Sequence, residues 1–479
     1  HVSEDPSYTR DFGVDESSQV SLSNAYALNR GIRHEQAAAI ITTYQRIRRA
    51  MPDDSPAEFF MIYPPFQKGW GPHASPGQYT NGGVTGIVAG ELARGAFTHG
   101  FEDYGVDILE RYHELATSFG NRLPWGLRGF MPEAPERSFR CLDLRSHANA
   151  DLVKLDDDVP GWQDDPGMDL RELPRGRQTL ADIPFDIIDG NQRRSLLRIG
   201  RDAADYAEQA LLPVGERFAS VYLLHATGAG SLVGEVCFQY ADGSTRSVYM
   251  RNNEQVFGAW NPPLIPGSQR AIVRKDDLTT VIAWRGGCPR FWSIGLTAHG
   301  VNNPRPDVPV EHIALKAMDG GRWLVVAMTT SDRPAFFMPS REGHGVPESW
   351  QAGALTSAIV EGLAGVVDTD RNFLAVRVSP RWAATKEDQA QVCICYGDGD
   401  GYLAYTWQRE ASSLHLRVAG NSDRRAFEIL LPRGFDPASL TIDGAPQPFT
   451  IETIEGSRYL HCSSTGPASV ELAIRSADN

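Results

Sequence analysis

The sequence predicts a multidomain α plus β chain: a helical segment, an inserted antiparallel β-sandwich, one returning helix and a second β-sandwich. Three observations carry this. Apolar residues recur at helical spacing in residues 1–140 and again from Trp350 to Val366. Between and after these stretches, short alternating segments bounded by turn residues take over. The length of 479 residues exceeds one ordinary domain and fits two to four.

In the first stretch, Ser21–Arg30 and His34–Arg49 form a helical pair broken at Gly31, with Ala37, Ile40, Ile41 and Tyr44 on one face. Gly83–His99 and Phe101–Ser118 follow, the latter carrying Tyr104, Ile108, Tyr112 and Leu115 as a stripe. Residues 141–335 turn to strands, "SVYLLHAT" and "GEVCFQYADGSTRSVYM" among them, with Asp242-Gly243 as a hairpin turn. Together they make an antiparallel sandwich or jelly roll. Residues 336–368 hold the returning helix. Residues 369–479 are strands again, with Gly397–Gly401 as a hairpin loop too short for an EF-hand. A lone apolar helix between two β modules needs a partner, and the helical segment is the simplest one.

Composition narrows the function. A net charge of −14 argues against nucleic-acid binding. No apolar run is long enough to span a bilayer. Abundant turn residues and aromatics suit a β-rich protein that handles flat, polar ligands such as sugars. The six cysteines include no CxxC pair, so a zinc knuckle is not expected, and buried free thiols are. The compartment stays open between cytoplasmic and secreted. The chain begins at His1 without a signal peptide, which fits either processing or a start within a longer polypeptide. P-loop, HExxH and G-x-S-x-G motifs are missing. "GAGSLVG" (Gly228–Gly234) reads as a loop between strands. Carboxylates, aromatics and amides remain, the groups used in glycoside cleavage.

The stretch "YPPFQKGWGPHASPGQYTNGGV" is the most unusual. Prolines stiffen it and glycines bend it. It carries Tyr63, Phe66, Trp70 and Tyr79 with the amides of Gln78 and Asn81, and Asn81-Gly82-Gly83 opens a helix. Such a loop forms one wall of a pocket or caps the end of a helix pair.

"QYTNGGV" followed by "AGELARGAFTHGFEDYGVDILERY" resembles the late helices of (α/α)6-barrel glycoside hydrolases of the processing-glucosidase and trehalase type. "EGHGVPESWQAGALTSAIVEGL" resembles the stretch that holds their general base. The middle module resembles galactose-binding-like jelly rolls, on "VYLLHAT", "YADGSTRSVYM" and "FGAWNP". The resemblance implies a partial (α/α)6 barrel whose other half comes from the same polypeptide or another chain. It implies an inverting glycoside hydrolase acting on an oligo- or polysaccharide, with Glu342 as general base and Asp5 as general acid. Glu348 is the nearby rival for the base, and the acidic stretch around Asp5 also reads as a solvated one.

Tyr63, Trp70, Gln78, Tyr79, Asn81, His344 and Trp350 are the substrate-binding candidates, by stacking or by hydroxyl contacts. Glu91, inside an apolar helix, is either a functional acid or a hydrogen-bonded carboxylate facing Arg94 or backbone. No cofactor is expected, although Asp156–Asp158 and Asp164–Asp165 offer oxygen ligands for Ca²⁺ or a solvated acidic loop. Two other readings stand: a non-catalytic carbohydrate-binding subunit that completes a barrel with a partner chain, and a polysaccharide lyase or epimerase on the same scaffold.

Overall fold

The computed structural model describes residues 19–66, 76–118, 126–153, 160–161, 167, 169–189, 194–201, 205–259, 278–290, 293–318, 320–339, 349–397, 399–466 and 469–477. The chain divides into two compact units, residues 1–130 with 345–479, and residues 131–344.

In the first unit five α-helices are described: α1 (Leu22–Ala27), α2 (His34–Ala50), α3 (Gly86–Thr98), α4 (Glu102–Ser118) and α5 (Ser349–Ser357). A π-helical turn, Ala358–Leu363, continues α5. On α2, Ala37, Ile41, Tyr44 and Ile47 are buried, with Glu35 in the first turn and Arg48 and Arg49 in the last, matching the helix dipole. On α4, Tyr104, Ile108 and Tyr112 are buried along one stripe.

Helix α3 is the centre of the cluster, and nearly all its residues are buried. Its N-cap Thr85 accepts a hydrogen bond from the Ile87 backbone N–H at 3.1 Å. Its glycines let neighbours approach closely. A Cβ at Gly90 would lie 2.4 Å from the Ala354 backbone, and one at Gly86 would lie 2.4 Å from the Tyr112 hydroxyl. The pairings Gly86 with Gln351 and Gly90 with Ala354 run in the same direction, so α3 and α5 are parallel neighbours.

This corrects the expected partial (α/α)6 barrel. Among the described residues strands account for 44% and helices for 19%. A barrel needs helices ringed around a lumen. Here α1, α2, α4 and α5 all pack on one central helix, and α3 is buried too completely to line an opening. The helical spacing identified the helices well, but spacing specifies a buried stripe and not the number of helices around it.

The rest of this unit is a β-sandwich. One sheet orders Gln389–Cys395, Tyr402–Arg409, Ser413–Gly420, Ser469–Ser476, Pro437–Ile442 and Ala445–Pro446. The other orders Val366–Asp370, Ala375–Val378, Arg424–Leu430, Ser457–Thr465 and Thr450–Ile454. Trp407, Val418, Phe427, Leu460 and Leu472 fill the space between them. All six cysteines are free, and Cys393 and Cys395 are exposed on an edge strand rather than buried. The sandwich is tied to the helices by Glu102, which is buried at the start of α4 and accepts from the Tyr459 and Ser457 hydroxyls. Burial pushes the Tyr459 hydroxyl up against the opposing charge of Arg381, which keeps it a donor.

The second unit is an antiparallel sandwich, as the alternation predicts. Its smaller sheet orders Thr245–Arg251, Leu232–Tyr240, Val310–Ala317 and Gln209–Glu216. Its larger sheet orders Thr280–Gly286, Ile294–Asn302, Ser220–Ala229, Arg322–Ser331 and Phe139–Leu142, with Leu197–Gly200 also pairing to Arg322–Ser331. The Asp242-Gly243 turn joins two strands of the smaller sheet, with Gly243 at φ 80°. Of "GAGSLVG", only Gly230 and Ser231 lie between strands; Gly228–Ala229 end one strand and Leu232–Gly234 begin the next, in the other sheet.

His225 is fully buried in this sandwich. Its Nδ1 accepts from the Trp323 indole N–H at 3.0 Å, so Nε2 carries the proton and donates to the Gln255 carbonyl at 3.0 Å. Burial, then the nearby His299, lowers its pKa to about 3. The unfolded chain takes up this proton below about pH 6.5, whereas the folded chain resists until about 3. Stability of residues 131–344 is therefore complete above that upper value and falls as pH drops through the window. Histidine NMR titration should show one imidazole still neutral at pH 4; an ordinary titration of His225 near 6.5 would contradict this burial.

Candidate functional site

Two segments far apart in sequence meet at the N-terminal end of α3. One is the turn Gly77–Gly83. It is held by hydrogen bonds from Gly77 N–H to Asn81 O (2.8 Å), Asn81 N–H to Gln78 O (2.9 Å) and Gly83 N–H to Tyr79 O (2.8 Å). Tyr79 sits at φ 45°, a left-handed conformation that a bulky side chain adopts only when its surroundings enforce it. The enforcement is visible: a Cβ at Gly83 would stand 2.4 Å from the Tyr79 carbonyl, so the turn closes only around glycine. Tyr79 itself is half-buried.

Asn81 is fully buried, and its side chain brackets Phe66: Oδ1 accepts from the Phe66 N–H at 2.7 Å and Nδ2 donates to the Phe66 carbonyl at 2.8 Å. This amide holds the turn against the incoming strand. Gln78 is buried in the same turn. Tyr63 stacks on Phe60 at 4.8 Å and on Phe130 at 6.1 Å, completing an aromatic layer beneath the turn. The amides and rings that mark this stretch in the sequence thus act largely on one another.

The other segment is α5. Gln351 is fully buried, and its Oε1 lies 3.0 Å from the Cβ position of Gly86, directly after the turn. Its neighbour Trp350 faces the other way and is 53% exposed, an unusual setting for an indole. The Trp350 ring contacts Tyr26 at 6.2 Å between centroids. The Arg30 guanidinium carbon lies 4.3 Å from the centre of the same Tyr26 ring.

Glu91 on α3 completes the strip. Its carboxylate takes both Nη groups of Arg30, at 3.1 and 3.2 Å, and the Asn29 amide at 2.7 Å. Of the alternatives for Glu91, the hydrogen-bonded carboxylate is the one found, but its partner is Arg30; Arg94 pairs with Glu361 instead. Burial, then the Glu91 charge, pushes the Tyr26 hydroxyl up and keeps it protonated. Sequence reasoning missed Tyr26, Asn29 and Arg30. Tyr26 stands on the short helix α1 and Asn29 and Arg30 in the turn that follows it, and only the tertiary packing of this segment on α3 gives them their partners.

Asp5, Trp70, Glu342 and His344 lie outside the described residues, as do Glu348 and the Asp156–Asp158 and Asp164–Asp165 clusters. In sequence, Glu342 and His344 lie within eight residues of the start of α5 at Ser349. Among the described residues no group of three His, Cys, Asp or Glu side chains is placed to hold a metal ion.

Removing the bracket around Phe66 tests the role assigned to Asn81. Asn81→Ala deletes two buried hydrogen bonds, and about 2–5 kcal/mol of unfolding stability goes with them. Urea denaturation measures it; a change below about 0.5 kcal/mol would contradict the role.

No protein-family model matches the chain, and no curated protein sequence matches it significantly. Solved structures with local likeness include an α-L-rhamnosidase from Dictyoglumus thermophilum, 14% identical, with TM-score 0.22 over 29% of this chain and 16% of that one. A Listeria monocytogenes EGD-e protein in complex with α-D-glucose, β-D-glucose, magnesium and calcium is 13% identical, with TM-score 0.17 over 41% of this chain and 16% of that one. A Paenibacillus cycloisomaltooligosaccharide glucanotransferase complexed with cycloisomaltoheptaose is 10% identical, with TM-score 0.14 over 64% of this chain and 47% of that one. The aligned part of this chain spans about a sixth of the first two proteins and under half of the third. At these TM-scores the likenesses establish neither a shared fold nor a shared activity.

Proposed function

We propose that this chain acts on carbohydrate, as a glycoside hydrolase whose substrate lies against the N-terminal end of α3 and the start of α5. One observation supports the reading above the others. The Gly77–Gly83 turn and the entry of α5, separated by more than half of the sequence, come together around Gly86, and the exposed Trp350 is next in the chain to Gln351 at that junction. Saccharide sites use an exposed ring face for stacking, and Trp350 supplies one next to this junction.

In this reading Glu342, assigned from the sequence, acts as general base. It draws a proton from water as that water attacks the anomeric carbon. A second carboxyl group, assigned to Asp5, donates its proton to the departing glycosidic oxygen. With a water molecule between base and sugar, the configuration inverts. Tyr79, His344 and Trp350 position the sugar in this scheme. The Gln78 and Asn81 amides shape the wall from beneath, as does Tyr63, and Trp70 adds a further ring from the same loop.

Reducing-sugar release from a panel of neutral hexasaccharides tests the proposal. The native chain should hydrolyse at least one of them, and Glu342→Gln should lower kcat by about 10²–10⁴-fold with circular dichroism unchanged. Turnover by the variant within twofold of native would remove Glu342 from the mechanism. Saturable binding with no hydrolysis by the native chain would favour a carbohydrate-binding protein, and an ultraviolet-absorbing unsaturated product would favour a lyase.

A further inference from the structure

In the strip formed by Trp350, Tyr26, Arg30, Glu91 and Asn29, the bonds that tie the α1 segment to α3 leave part of the strip at the surface. Trp350 is more than half exposed, and the Arg30 side chain is 50% exposed although it pairs with a buried carboxylate. An indole in that position gains little from packing, since much of its apolar area still meets water. Its contact with the Tyr26 ring, on whose face Arg30 rests, fixes its orientation without covering it.

The polar half is equally fixed. Arg30 donates through Nη1 to the Tyr26 carbonyl and to Glu91, and through Nη2 to Glu91. A guanidinium has five N–H groups in a rigid planar fork. Three are accounted for by these bonds, which leaves its Nε–H and one Nη2–H outside them on a half-exposed side chain. Glu91 is locked in turn by Asn29. The result is a planar, pre-oriented pair of donors beside an aromatic face, with the charge of the donor balanced by the carboxylate behind it.

We propose that this strip is a binding subsite for a neutral pyranose, with the sugar's apolar face on Trp350 and two adjacent hydroxyls on the free N–H groups of Arg30. The geometry selects for a sugar, because a pyranose carries a flat C–H face and vicinal hydroxyls at its edge. Charge selects for a neutral one. Glu91 cancels Arg30 locally, and the chain as a whole carries −14, so an anionic polysaccharide meets no net attraction here. The subsite rests on the proposed action on carbohydrate but uses none of the residues assigned to bond cleavage. Trp350 is the one group common to the subsite and the substrate-positioning set.

Isothermal titration calorimetry tests it, with maltohexaose, cellohexaose, mannohexaose and xylohexaose as neutral probes and hexagalacturonate as the anionic one. The native chain should bind at least one neutral probe more tightly than hexagalacturonate. Trp350→Ala should weaken that binding at least tenfold. Arg30→Lys, which keeps the charge but loses the fork, should weaken it at least threefold with circular dichroism unchanged. No saturable binding of any neutral probe, preference for hexagalacturonate, or affinities of both variants within twofold of native would overturn the subsite. The Glu342→Gln variant separates this from the reading on which it rests. It should bind the neutral probe as tightly as the native chain even where it has lost turnover, and a loss of binding together with turnover would overturn the separation of subsite from reaction centre.

Discussion

The close parallel contact between α3 and α5 is the constraint on which the arrangement of the first unit depends. At Gly90 the two helices approach until a single Cβ on one would strike the backbone of the other. Side chains on both sides would hold the axes about 8–10 Å apart. The glycine notch therefore fixes where α5 lies along α3, and with it the position of Gln351 against Gly86. Glycine is a poor helix residue, costing roughly 1 kcal/mol relative to alanine in an exposed interior position. Three glycines within thirteen residues of α3 make sense only if close approach returns more than that.

Around this contact, buried polar groups are satisfied by partners from distant elements. Glu58 is fully buried and accepts two bonds from Arg111, at 2.7 and 2.8 Å, and one from the Tyr104 hydroxyl at 2.7 Å. Burial, then the Glu58 charge, pushes that hydroxyl up. A buried carboxylate without such partners would be costly, so each of these sites admits one arrangement and rejects near alternatives. Glu102 does the same for the C-terminal sandwich, and Asn81 for the Phe66 loop. Polar satisfaction thus gives the helical cluster a definite geometry, on a core that supplies the stability.

Legibility in the sequence followed the range of the interactions concerned. The stripes on α2 and α4, the Asp242-Gly243 hairpin and both β-sandwiches rest on periods of a few residues, and reading them needed no tertiary information. The barrel was inferred from local resemblance, and local resemblance says nothing about how many helices surround α3. At the site, the turn around Tyr79 stood out because aromatics, prolines and glycines cluster before it, and Trp350 because its stretch resembles one that opens a barrel helix. Arg30 and Asn29 gave no such signal. Their meaning depends on Glu91, which lies some sixty residues away and is reached only through the packing of α1 on α3. Asn81 was legible as an amide at a turn, but the choice between ligand and backbone as its partner is made by Phe66.

The central claim is that the Gly77–Gly83 turn, α1 and the start of α5 form one saccharide-binding surface. Hydrogen-exchange mass spectrometry of the native chain, with and without the neutral hexasaccharide that it binds most tightly, tests this directly. The account predicts added protection in peptides covering residues 22–31, 77–91 and 349–355 together, with the two β-sandwiches unchanged. Protection confined to residues 131–344 or 366–479, or to only one of the three helical segments, would contradict it.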